Sequence, residues 1–428
     1  MGRPAFTRFL TTDREGSVRW GERTASWRTL LAQGQERSRQ VRPQGSYLVD
    51  PSVGMEALIS LFAVATVPDT ILLWSAADGI PRKELAPGLY EVDSPLPGPI
   101  DRPMWGVATS GSSGTPKLAI GHADVWELIA LHYESAMFRP AFGGGTPTTL
   151  ATCLPLQFSA AFFMTVLPAM FLQRDLLIFP AHNWRPVQQV ASEHEVFVLG
   201  VPALAAAACL NTDEPVDMSR AALFLGGGHV SESRVRLIER HFTGISIANL
   251  YGTAETGAIS VDYRPGHNRH VGRPIPGKAV WLEEVSEHGV GKVTVAAPDC
   301  CQFIWTPGHD PVPTAGRVAS TDYGRFDDEG NLCLEGRVDG GEKLRGILVY
   351  PRAIERHLLT LDGVADARVL VQRTEAGLEH LLAKVVGEVA EAAVREHCLA
   401  LAEIERPTRI ECVSEQQAAT VYSANGKL

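Results

Sequence analysis

Apolar positions in the first three quarters of the chain fall into short runs, each followed by a stretch with helical period. SYLVD (46–50) precedes GMEALISLFAVA, DLLIF (175–179) precedes RPVQQVASEH, VFVLGVP (196–202) precedes ALAAAACL, and AALFLGGG (221–228) precedes SESRVRLIERHF. Strand-length runs alternating with amphipathic helices mark βαβ units, and they predict an α/β fold of stacked, largely parallel sheets. From about Val271 the pattern changes to short strands punctuated by turn residues, GRPIPGKAVWLEEVSEHGVGKVTVAA, which predicts a small antiparallel β subdomain. After Arg337 comes GRVDGGEKLRG (336–346), then LVYPRAIERHLLT, VADARVLVQR, HLLAKVVGEV and AAVREHCLALAEI, the pattern of a small α+β domain. Glycines beside charges between two patterned regions make a hinge. The predicted division is a large domain over 1–337 and a small mobile domain over 338–428.

At 428 residues, 45% of them hydrophobic, the chain buries a sizeable core and exceeds one ordinary domain. A net charge of −10 without a long Lys/Arg run argues against a nucleic-acid surface and for a small soluble substrate. Seven cysteines without C-x-x-C spacing read as reduced thiols in a cytoplasmic protein, and the adjacent pair Cys300-Cys301 as two core residues rather than a redox couple. The N-terminal residues lack the apolar stretch of a signal peptide, and Phe6 breaks the myristoylation pattern. The most apolar run, Phe158 to Leu172, is shorter than the roughly 18 residues of a membrane span and contains Pro168, so it is expected in the core. Oligomeric state is not encoded in any of this, and a homodimer stays open.

Three groups of residues carry chemistry. The first is Thr109, Ser110, Gly111, Ser112, Ser113, Gly114, Thr115, Pro116 and Lys117, between the apolar runs WGVA and LAI. Glycines admit a ligand close to the backbone, hydroxyls and N–H groups cradle phosphate oxygens, and a lysine offsets their charge. It is not the G-x-x-x-x-G-K-[ST] loop, since Pro116 stands five residues after Gly111; a polar hairpin turn is the bland alternative. The second is Asn249-Leu250-Tyr251-Gly252-Thr253-Ala254-Glu255, after the strand-like GISIA: an aromatic ring to stack on a base and a carboxylate to hold Mg²⁺, or simply packing and solvated surface. The third is Asp322, Arg337, Asp339, Lys343, Gly346 and, near the C-terminus, Lys427. A carboxylate suits ribose hydroxyls, an arginine ribose or phosphate, and a lysine the charge that develops on an attacked phosphate. Taken singly, such residues are solvated surface more often than not.

Their order decides. From about Ser26 onward the series TSGSSGTPK, GGG (226–228), NLYGTAE, VGRPIPG (271–277), STDYGRFDDEGNL, GRVDGGEKLRG, YPRAIE and SANGK (423–427) resembles the superfamily of acyl-CoA synthetases, peptide-synthetase adenylation domains and luciferases. The resemblance implies an acid–thiol ligase that adenylates a carboxylic acid with ATP and Mg²⁺ and passes the acyl group to CoA. Thr109 to Lys117 would hold the β- and γ-phosphates. Gly226, Gly227, Gly228 and Asn249, Tyr251, Gly252 and Thr253 would line the adenine and acyl sites. Glu255 would bind Mg²⁺ through ATP, and Asp322 the ribose hydroxyls with Arg337 beside it. Asp339 would be the hinge, Lys427 the adenylation lysine, and Lys343 to Gly346 the loop that replaces it beside a pantetheine tunnel after the small domain turns.

The departures bear on the substrate. Leu118-Ala119 follow Lys117 where the family usually has glycine, and Ala254 stands where it usually has threonine. In LPLQFSAAF (154–162), Phe158 takes the place of a gating histidine and no aspartate is present to pair with an α-amino group. Phe158, Ala160, Ala161 and Phe162 are therefore expected to line a pocket for an aromatic or medium aliphatic acid rather than an α-amino acid. The chain is short for the family, the sequence stops at Leu428, and no carrier domain is expected in it. Three alternatives stay open: transfer to the phosphopantetheine of an acyl carrier protein, transfer to a non-thiol nucleophile, and a non-catalytic nucleotide-binding relative.

Overall fold

The computed structural model describes residues 15–76, 79–109, 117–210, 214–228, 230–266, 270–287, 289–337, 342–344, 347–373 and 379–418. Its centre is a nine-stranded sheet. Six strands, in spatial order Ser246–Thr253, Ala221–Gly226, Val196–Gly200, Thr149–Thr152, Asp175–Ile178 and Ser17–Trp20, run parallel, with antiparallel strands at both edges. An eight-stranded sheet has a parallel centre of Met104–Thr109, Ile71–Trp74 and Ser46–Val49 and antiparallel flanks. The parallel reading of the apolar runs thus holds at the centres of both sheets. The expected helices follow their strands at Met55–Ala65, Arg185–Ala191, Pro202–Leu210 and Glu232–His241.

Continuous apolar strands arise where both faces are covered. In Ile71–Trp74, Ile71 and Leu73 face one cluster with Leu48 and Ile120, while Leu72 and Trp74 join the main core on the other face. Every one of these side chains is buried, as the two-residue period of a strand requires. The run from Phe158 to Leu172 is helical and widens into a π turn at Phe162–Val166; residues 161–170 are buried, as its composition implied, while its two ends are not.

Ala279–Glu283, Gly291–Ala296, Arg317–Phe326 and Leu332–Arg337 form the expected antiparallel sheet. Beyond it, Val364–Arg373, Glu379–Gly387 and Arg409–Val413 make a three-stranded sheet with helices Pro351–Leu358 and Glu391–His397, around a core of its own. That unit meets the large one through polar groups. Ser231 and Ser233 Oγ donate to the carbonyls of Ala365 (2.7 Å) and Val364 (3.0 Å), and Arg234, 2% exposed, binds Asp366 (3.0 Å) and Glu415 (3.1 Å). No helix among the described residues is long and apolar enough to cross a membrane.

Candidate active site

The strand Ser246–Thr253 delivers Asn249, Tyr251, Gly252 and Thr253 to one edge of the parallel sheet, turns through Glu255 and returns as Gly257–Asp262. The two arms close on Gly252, where an added Cβ would stand 2.3 Å from the Gly257 carbonyl oxygen. The Tyr251 hydroxyl donates to Asp322 Oδ2 at 2.7 Å, joining motifs 71 positions apart. Asp322 in turn lies opposite Arg337 in the antiparallel register. Gly226 ends its strand beside Leu250, and Gly227 turns the chain with φ at +73°. Glycine fits there because a side chain disfavours that conformation.

Thr109 and Lys117 face each other at the end of an antiparallel pair, so both ends of the candidate phosphate loop lie at the edge of the second sheet, with Lys117 exposed. One segment connects the sheets here. Cys301 N donates to the Glu255 carbonyl (2.8 Å), Gln302 N to that of Ile120 (2.7 Å), and Phe303 pairs with Ile120 in the strand that follows the loop. The glycine-to-Leu118 departure has a physical place: Leu118 and Ala119 are fully buried between Met104–Thr109 and Phe303–Trp305. Ser110, Gly111, Ser112, Ser113, Gly114, Thr115, Asp339, Gly346 and Lys427 lie outside the described residues. Arg337 and Lys343 are described as strand backbone only.

Trp74 Nε1 donates to the Leu156 carbonyl at 2.6 Å and fixes the LPLQF segment. Phe158 is half-buried and Ala160 exposed on the helical turn Ser159–Ala161, which packs beside Met104–Thr109 and Gly257–Asp262. Ala161 and Phe162 differ from expectation. Both are fully buried, and Phe162 lies against Trp74 (5.1 Å between ring centroids) and Trp126 (5.5 Å). A helix rotates about 100° per residue, so Ala160, Ala161 and Phe162, at successive positions, do not line one wall.

Burial pushes the thiol of Cys300 up to about 11 and that of Cys301 to about 12, which leaves both as unreactive thiols at neutral pH. The His122 ring is held below its ordinary value by burial and by the charge of Arg102. Among the described residues no group of His, Cys, Asp or Glu forms a metal cluster. A ligand metal carried in on a nucleotide asks for less, and Glu255, half-exposed on a turn whose carbonyl is held by Cys301, fits that role as a single carboxylate. Three residues that periodicity did not single out, Tyr133, Lys278 and Asp299, are buried together below that turn.

Residues 55–301, more than half of the chain, match the family described as AMP-binding enzyme. The chain belongs to that family. It is 25% identical to tyrocidine synthase 2 of Brevibacillus parabrevis over 321 residues, 68% of this chain and 9% of that protein. It is 25% identical to benzoate–CoA ligase of Thauera aromatica over 354 residues, 77% of this chain and 65% of that one. The chain thus spans less than two thirds of either relative's length. In fold it resembles the anthranilate CoA ligase AuaEII solved with anthranoyl-AMP, with a TM-score of 0.71 at 16% identity, covering 100% of this chain and 96% of the other.

Proposed function

We propose that this AMP-binding enzyme is an acid–thiol ligase, making the acyl-adenylate of an aromatic or medium aliphatic carboxylic acid and then its thioester with CoA. The observation that carries the nucleotide reading is the 2.7 Å bond from Tyr251 to Asp322, whose backbone pairs with that of Arg337 in the neighbouring strand. An aromatic ring and a carboxylate then meet at one end of the sheet, a pair suited to a base and its ribose.

In this reading Thr109 to Lys117 receive the β- and γ-phosphates, and Asp322 accepts hydrogen bonds from the ribose hydroxyls. Glu255 holds Mg²⁺, which offsets phosphate charge when bound. A carboxylate oxygen of the acid attacks the α-phosphorus and the bond to pyrophosphate breaks, with Lys427 beside the developing charge. The sulfur of the thiol then attacks the acyl carbon, AMP leaves, and the thiol proton passes to solvent. The domain over 338–428 turns about Asp339 between the steps and brings Lys343 to Gly346 to a pantetheine tunnel. Phe158, Ala160, Gly226 and Gly252 border the acid. The similarity to benzoate–CoA ligase over 77% of the chain supports an aromatic acid and CoA.

A second reading keeps the adenylate and passes it to the phosphopantetheine of a carrier protein. The similarity to the nonribosomal peptide synthetase inpA of Emericella nidulans over 67% of the chain favours it. Pyrophosphate release over a panel of aromatic, aliphatic and amino acids, each with ATP and Mg²⁺ and with or without CoA, tests both. Acid-dependent release with an acyl-CoA product supports the first reading, and release without acyl-CoA moves the acceptor to a carrier or another nucleophile. No release together with no ATP binding sinks both.

A further inference from the structure

Three buried polar side chains that none of these roles uses meet beneath the Glu255 turn. The Lys278 side chain, 1% exposed, donates to Asp299 Oδ2 at 2.6 Å and to the carbonyl oxygen of Thr256. Asp299 Oδ2 also accepts from the hydroxyl of Tyr133 at 2.8 Å, and the Tyr133 oxygen accepts from Ala258 N at 3.3 Å. Cys301 N holds the Glu255 carbonyl at 2.8 Å. The carbonyls of Glu255 and Thr256 and the amide of Ala258 are therefore each tied to a different part of the fold. Between them sits Gly257, at φ +64°, where an added Cβ would meet Tyr133 Oη at 2.5 Å and Asp299 Oδ2 at 2.6 Å.

Stability alone does not explain such a cluster. A buried ion pair is commonly no better for stability than apolar side chains of the same volume, because desolvation offsets the attraction. What charge supplies and apolar packing does not is direction: an ammonium aimed at one carbonyl, a hydroxyl aimed at one amide. Burial, and then the charge of Asp299 and the bond to it, push the Tyr133 hydroxyl well above the ordinary phenol range, so it stays a donor at working pH.

We infer that Lys278, Asp299 and Tyr133 are positioning residues that fix the turn over 253–258 and thereby the place of the Glu255 carboxylate. The inference rests on the reading in which Glu255 holds the Mg²⁺ of ATP. Lys278 follows the VGRPIPG segment and Asp299 lies on the turn between the strand Gly291–Ala296 and the buried cysteine pair, so two connections flanking the antiparallel sheet brace the turn after Ser246–Thr253.

The test compares full-length Lys278→Met and Tyr133→Phe with the parent in three measurements. Turnover of acid-dependent pyrophosphate release should fall on the order of 10- to 100-fold, the usual effect of a misplaced group near 1 Å, with KM for the acid little changed. The Mg²⁺ concentration at half-maximal ATP binding, measured calorimetrically without acid, should rise about tenfold, one decade per 1.4 kcal/mol. The amides of Ala258 and Cys301 should lose hydrogen-exchange protection. Parent-like Mg²⁺ dependence and protection in either variant, whatever the change in melting temperature, would reduce the cluster to packing. Tyr133→Phe removes one oxygen and keeps the ring, so it carries the test if Lys278→Met fails to fold. Glu255→Ala, run in parallel, separates the two ideas. If it leaves the Mg²⁺ dependence unchanged while protection still falls in the other variants, the turn is braced as inferred and the Mg²⁺ assignment is wrong.

Discussion

Arg234 offers the most direct handle on how the small C-terminal unit is held. It sits in the first turn of the helix Glu232–His241, and its guanidinium reaches Asp366 and Glu415, both on the small unit. The residue before that helix, Ser231, bonds the Ala365 carbonyl instead of capping its own helix. Arg234→Met keeps the aliphatic stem and leaves two partly buried carboxylates without this guanidinium. Breaking a fully buried pair costs about 3–5 kcal/mol. Asp366 is 21% exposed and Glu415 13%, so both recover water on a small opening, which reduces the cost to roughly 2–3 kcal/mol of docking. At 1.4 kcal/mol per decade that is a shift of about 30- to 150-fold in the docking equilibrium. Hydrogen exchange at the amides of 364–367 and 415–418 reads it, since opening of this contact exposes them together. Protection within about threefold of the parent would mean that Arg234 does not hold the unit down and that the argument from its burial is wrong.

Other outcomes follow from single observations. Burial holds the Glu415 carboxyl above its ordinary 4.5, against the opposing pull of Arg234, so docking is strongest below that value and weakens as pH rises through the folded-state pKa. Glu415→Gln should flatten this dependence in exchange measurements between pH 4.5 and 7. Asp322→Ala should weaken ATP binding by roughly ten- to hundredfold, the worth of hydrogen bonds to a charged group, and unchanged affinity by calorimetry would remove the ribose assignment. Gly272→Ala places a Cβ 2.0 Å from the Val261 carbonyl oxygen at φ +82° and should lower the urea midpoint by the equivalent of about 3 kcal/mol or more. Lys427→Ala should abolish adenylate formation yet leave transfer from preformed acyl-AMP nearly intact, and Gly346→Leu should do the reverse.

Much of the fold was legible because its strands announce themselves by length and period. A run such as VFVLG is apolar on both faces, and only a sheet covered on both sides accepts that pattern; Leu72 and Leu73, on a strand of the second sheet, show the same by facing different cores. The residues proposed to face the nucleotide were legible as motifs for another reason: Tyr251 and Asp322 sit in short motifs read from their order along the chain, although nothing in either motif alone says that they touch. The lining of the proposed acid pocket was less legible, because spacing along LPLQFSAAF does not tell which side of a helical turn Phe162 faces. The Lys278, Asp299 and Tyr133 cluster was invisible. Each is a polar residue of a type usually found at the surface or half-buried, and only the meeting of three segments far apart in sequence makes them partners.

The two polar networks play opposite parts in one design. Lys278 and Asp299 are buried together within the large unit, and by the inference above they brace the turn that carries Glu255. Arg234, Ser231 and Ser233 join two hydrophobic cores that share no residue, through bonds whose acceptors include partly exposed carboxylates. Apolar surfaces in contact resist separation because water must wet them, whereas charged groups exchange protein partners for water at modest net cost. The proposed rotation, which would carry Lys427 away after adenylation and bring Lys343 to Gly346 in its place, would need a fixed carboxylate on one side and a contact that lets go on the other. The burial of Lys278 and the partial exposure of Asp366 meet those two demands separately, which is why changes at the first should appear in Mg²⁺ dependence and changes at the second in exchange.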